Sequence, residues 1–140
     1  MQATSFDETL DQILKQEKRY SRDAYVFLRE ALDHTQKLVG KGKGLRHVSG
    51  QELLNGIRDY ALEQFGPMAV TVFEEWGVQS CKDFGEMVFI LVENGLLAKT
   101  DRDTREDFEN GYGFYDTFRK PFLPKGKLVK SVLQTKTTRA

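Results

Sequence analysis

Apolar residues recur at helical spacing along most of the chain, and each run opens on a capping signal. Residues 6–17 place Phe6, Leu10, Ile13 and Leu14 on one stripe among charged and amide side chains, with Ser5 and Glu8 at capping-box spacing. A second helix is predicted from Ser21 to about Leu38. Its period is Ala24, Phe27, Leu28, Ala31, Leu32, Thr35, and Tyr20 and Tyr25 stand at the spacing of a hydrophobic staple. The clearest start is Val48-Ser49-Gly50-Gln51-Glu52-Leu53. Ser49 and Glu52 can satisfy each other's backbone N–H groups, and Val48 can staple to Leu53. Leu54, Ile57, Ala61 and Phe65 continue the face of Leu53 until Gly66-Pro67 ends it. Pro67 suits the first turn of a short helix bearing Ala69, Val72, Phe73 and Trp76, which stops at Gly77. Ser80 and Asp83 open a fifth helix that Asn94-Gly95 closes.

The fifth helix carries six consecutive apolar residues, Met87 to Val92. A helix that is apolar all round must be covered on two sides, so it is the centre of the fold or half of an interface. Beyond it, Leu96-Leu97-Ala98-Lys99 and Gly113-Phe114-Tyr115 are expected to pair as a small hairpin, with the acidic stretch from Asp101 to Asp107 at its tip. The predicted architecture is mainly α: about five helices with a small C-terminal β-hairpin and a winged-helix-like helical core.

Length and charge narrow this further. A chain of 140 residues is the size of one domain and can bury a core without disulfide or metal staples. Residues 1–124 are expected to form it, leaving a basic tail at 125–140 that Pro121, Pro124 and Gly126 mark as irregular. Lys plus Arg and Asp plus Glu both number 21, so no global field draws the protein to nucleic acid or an anionic membrane. Any such attraction is local. Residues 101–116 hold six acids against two arginines, and from Arg119 onward there are only basic residues, an asymmetry that self-neutralisation explains as well as a nucleic-acid tail does. The lone Cys81 has no disulfide partner, and no signal leader or long apolar span is seen. A soluble cytoplasmic protein with no membrane association is expected.

Chemistry is sparse. Lys41, Lys43, Arg46 and His47 lie in or beside a glycine-alternating loop just before a helix N-terminus, where backbone donors and the dipole favour an anion. They are the candidate anion or partner-binding residues, although the glycine order is not that of a phosphate-binding loop. Asp101, Asp103 and Arg105 have alternating spacing, but arginine, glutamate and tyrosine occupy positions where a calcium loop needs an oxygen ligand, a glycine and a glutamate. No metal or cofactor is expected. His34 beside Asp33 reads as a solvated helix residue, and no nucleophile, base and orienting group assemble from spacing, so no catalytic residue is assigned and an enzyme is disfavoured. DNA reading is disfavoured too, because Lys82 on the fifth helix is outnumbered by Asp83, Glu86 and Glu93. The expected function is a protein-interaction module with an unidentified protein partner. Trp76, Phe89 and Ile90 are its candidate interface residues, and a homodimer through the fifth helix is one form it could take. The alternative is a nucleic-acid-associated winged-helix-like protein using the basic loop and tail.

Several segments in order, Arg46 to Leu54, Ala61 to Ala69, Trp76-Gly77, Asp83-Phe84-Gly85 with Val88-Phe89, and Arg105 to Phe108, together resemble an uncharacterised family of small proteins from planctomycetes, verrucomicrobia and related bacteria. The resemblance covers about residues 19–122. It implies a single bacterial domain and transfers no catalytic or binding residue.

Overall fold

The computed structural model describes residues 2–40 and 47–124, with the side chains of residues 2–5 excepted. Five α-helices follow in order: α1 (Gln2–Gln16), α2 (Arg22–Gly40), α3 (Gly50–Phe65), α4 (Ala69–Glu75) and α5 (Cys81–Glu93). Among the described residues no helix is long and apolar enough to cross a membrane.

Local capping explains most of the boundaries. Ser49 accepts from the Glu52 N–H at 3.2 Å, while Glu52 accepts from the Ser49 N–H at 3.0 Å. Before α5, Asp83 accepts from the N–H groups of Gln79 and Ser80 at 2.8 and 3.3 Å. The Tyr20 and Tyr25 rings meet edge to face at 6.3 Å across the start of α2. The first expected cap does not hold: α1 already begins at Gln2, which puts Ser5 inside the helix rather than before it.

The helices α1 and α2 lie antiparallel, since Arg22 pairs with Asp11 and Asp7 while Arg29, further along α2, stacks over the Phe6 ring at 4.5 Å. The most extensive packing is between α2 and α3. They cross where Gly56 meets Thr35. A Cβ on Gly56 would stand 1.7 Å from Thr35 Oγ1, so only glycine fits. Thr35, 2% exposed, satisfies its own hydroxyl by donating to the Ala31 carbonyl at 2.7 Å. Around this crossing lies one aromatic-rich core with Phe27, Phe73, Phe84 and Phe118 at its centre. In α5, Met87, Phe89 and Leu91 are buried while Val88, Ile90 and Val92 are partly covered, so its apolar run belongs to the centre of the fold.

No strand occurs among the described residues, and the segments expected to pair as a hairpin do other work. The Leu96 N–H donates to the Leu91 carbonyl at 2.9 Å, folding the chain back over the end of α5 instead of extending it. Residues Arg105–Phe108 form a 3₁₀ turn, held at its start by a 3.0 Å bond from the Thr104 N–H to Asp107. This turn wedges Phe108 between α3 and α5, so close to Gly85 that a Cβ there would lie 2.6 Å from the Phe108 Cβ. Tyr115–Arg119 wind as a single wide helical turn, and the Thr117 N–H donates to the Gly113 carbonyl at 3.0 Å. Phe114 and Phe118 thereby join the aromatic core, and the Leu96 N–H and the Gly113 carbonyl, two groups a strand ladder could use, are already committed. The basic tail beyond Pro124 lies outside the described residues.

Gly56→Ala should destabilise the fold by about 1–3 kcal/mol through overpacking. Thr35→Ala vacates the space the new methyl needs. In a denaturant double-mutant cycle the pair should therefore be more stable than the sum of the single changes, and strict additivity would show that the two helices do not meet there.

Candidate functional site

A recess of about 400 Å³ with a mainly apolar lining is bounded by the C-terminal half of α2, the N-terminus of α3, the C-terminal half of α5 and the returning segment 96–103. Each wall follows from a feature already described. Leu53 and Val48 come from the capped start of α3, Val88 and Val92 from the less covered face of α5, and Leu96 and Leu97 from the fold-back after Asn94. Phe108 and Phe89 close the inner side, both buried. Arg105 fixes that side from outside: its guanidinium lies over the Phe89 ring at 5.2 Å and donates to both oxygens of Glu86 at 3.0 and 2.9 Å.

Polar groups stand at one part of the lining. His47 Nε2 lies 2.7 Å from Asp103 Oδ2, tying the segment before α3 to the loop after α5. The same carboxylate oxygen accepts from the Thr100 N–H at 2.8 Å and the Thr100 hydroxyl at 3.3 Å, which sets the turn that carries Lys99 into the lining. A contact of this kind can be a hydrogen bond from Nε2–H or an ion pair, and in either state it orients the imidazole and holds the two chain segments together.

His47 therefore belongs to the pocket. Lys41, Lys43 and Arg46 lie outside the described residues. Of the candidate interface residues, Phe89 lines this pocket, whereas Trp76 lines a different one with Phe27, Phe65 and Tyr60. Ile90 is partly buried against the core, so the three are dispersed. Missing from the sequence-derived set were Leu96, Leu97, Asp103 and Phe108. The Leu-Leu pair directly after Asn94-Gly95 was a usable signal, because an apolar residue following a helix C-cap commonly packs back on the last turn.

The reactive side chains elsewhere have structural partners. Asp103 is committed to His47 and Thr100, and Asp107 to the Thr104 N–H, which is why the acidic spacing builds turns. The His34 ring lies tilted against Tyr60, with centroids 5.2 Å apart. Cys81 is buried, with Sγ 3.4 Å from the Tyr112 carbonyl, and burial pushes its thiol pKa up, opposite to what a nucleophile requires. Burial also raises the Tyr112 phenol, which donates to the Leu54 carbonyl at 2.7 Å. Among the described residues no group of three or more His, Cys, Asp or Glu side chains could hold a metal ion.

No protein-family model, curated protein or solved structure matches this chain.

Two outcomes follow from the buried thiol and phenols. Cys81 should resist thiol reagents in the native protein at pH 8 and react at the rate of a free cysteine only once the chain is denatured; rapid native labelling would contradict its burial. Cys81, Tyr112 and Tyr25, the last raised to about 12, all keep their protons to higher pH when folded. Above about pH 9 the unfolded chain loses protons that the folded protein retains. Stability should thus fall as pH rises from there, and chemical denaturation at pH 8 and 10.5 measures the drop.

Proposed function

We propose that this protein is an interaction module whose 400 Å³ pocket receives an apolar side chain from a protein partner. The observation that carries the reading is the lining itself. Leu32, Leu53, Val88, Val92, Leu96 and Leu97 surround a space that falls in the range of ligand-sized recesses, with a few polar groups gathered at His47, Asp103 and Lys99. Such an arrangement suits an aliphatic or aromatic anchor flanked by polar backbone or side-chain groups, the usual centre of a protein–protein hot spot. Ser49 lines the same space as His47, but its hydroxyl serves the helix start by accepting from the Glu52 N–H, which supports binding over catalysis. Self-association through the same pocket is the homodimeric form of this reading.

The nucleic-acid alternative depends on the basic loop and the basic tail, and the face of α5 that a winged-helix reading would present carries Asp83, Glu86 and Glu93 against Lys82. It predicts heparin retention at moderate salt that disappears on deleting residues 125–140.

Selection of random peptides on the immobilised protein tests the main reading. Enriched sequences should share one or two large apolar residues, and their binding should weaken at least tenfold, about 1.4 kcal/mol, in Leu97→Glu and Val92→Glu variants that keep native helicity. Peptides that bind these variants as well as the parent would place recognition elsewhere. Sedimentation at micromolar concentration distinguishes self-association from a separate partner.

A further inference from the structure

A second recess, on the opposite half of α2, has a different character. It measures about 200 Å³ and is walled by Phe27, Tyr60, Phe65 and Trp76. Phe27, 3% exposed, forms the floor, and its ring centroid lies 5.5 Å from Tyr60, 5.6 Å from Phe65 and 5.5 Å from Trp76. Phe65 and Trp76 stand nearly perpendicular, at 79° with centroids 5.6 Å apart, so the walls form a corner rather than a stack. Asp23 and Glu30, both exposed, complete the edge, and among the described residues the lining holds no basic side chain. Glu30 also sits close enough to the Tyr60 hydroxyl to help raise its pKa, after burial, which places the carboxylate beside that hydroxyl.

The corner is held in position by the backbone. The Ser21 N–H donates to the Trp76 carbonyl at 3.1 Å. The next residue, Gly77, has φ of 86°, and a Cβ there would lie 2.1 Å from the Arg19 carbonyl oxygen. The chain can make this approach only with glycine, and Trp76 is thereby pinned against the start of α2.

We infer that this recess is a binding site for a small organic monocation whose charge is spread over alkyl carbon, a quaternary or N-methylated ammonium group. Ring faces attract such a cation through their quadrupoles, and the two carboxylates add a field of the right sign without having to touch it. A primary ammonium is a poorer occupant, because it would surrender strong hydration to walls that are mainly aromatic, whereas a methylated one is weakly hydrated. The group could arrive on a free small molecule or on a methylated lysine of a protein, and the chemistry recognised is the same.

Trp76 is the only tryptophan in the chain, so its fluorescence reports the site directly. Titration of the full-length protein with tetramethylammonium chloride, at ionic strength held constant with sodium chloride, should give a saturable change with half-saturation below about 10 mM. The neutral isostere of choline, 3,3-dimethylbutan-1-ol, should give a response at least tenfold weaker. Glu30→Gln, a surface change compatible with native helicity, should weaken tetramethylammonium binding about fivefold. Choline and a trimethyllysine peptide then separate the sources: tighter peptide binding identifies a protein-borne group, and equal or tighter choline binding identifies a free cation. Absence of saturation up to 50 mM, or an equal response to the neutral isostere, overturns the inference.

Discussion

The close crossing of α2 and α3 at Thr35 and Gly56 is the constraint on which the other placements depend. Because Gly56 presents no side chain, the two helix backbones approach until the Thr35 hydroxyl occupies the space a methyl would take. Thr35 can be buried there because its hydroxyl is satisfied within its own helix. With α2 fixed against α3, the two halves of α2 face different neighbours. Asp23, Phe27 and Glu30 line the aromatic recess, and Leu32 and Gln36 line the aliphatic pocket. One helix thus separates two recesses of different character, one lined by aromatic rings and two carboxylates and the other mainly by aliphatic side chains.

The segment after α5 is the other organising feature. Rather than forming a wing, it returns over the helix that precedes it and inserts Phe108 between α3 and α5. Its polar contacts include Arg105 with Glu86 and Glu93, Gln51 with the Asp107 carbonyl at 2.7 Å, and His47 with Asp103. The exposed ion pairs contribute little individually, so the buried Phe108 supplies most of the attachment and the polar contacts set its register. This distribution also accounts for the sparse chemistry of the molecule. Asp103 and Asp107 serve as turn and cap acceptors, and the Cys81 thiol is enclosed in the core.

The helices after the first were legible in the chain because their signals are local. Ser49 with Glu52, Tyr20 with Tyr25, Gly66-Pro67 and Asn94-Gly95 act within a few residues, and the geometry of a helix end depends on those residues alone. The hairpin was misread for the converse reason. Leu96-Leu97 and Phe114-Tyr115 have strand-like composition, but strand formation needs a partner edge, and here Leu96, Leu97 and Phe114 pack against the core while Tyr115 stays exposed.

Of the pocket, the sequence alone marked His47, by its place before a capped helix, and Phe89, by its place in an apolar run. It could not pair His47 with Asp103, which is distant in the chain, nor show that Trp76 and Phe89 belong to separate recesses. Those relations are set by where helices cross and which side chains fill the crossing, quantities that depend on contacts between remote segments. The number of helices and the ends of those after α1 were therefore written in neighbouring residues, while both recesses came into being only when α2 packed against α3 and the chain beyond α5 folded back.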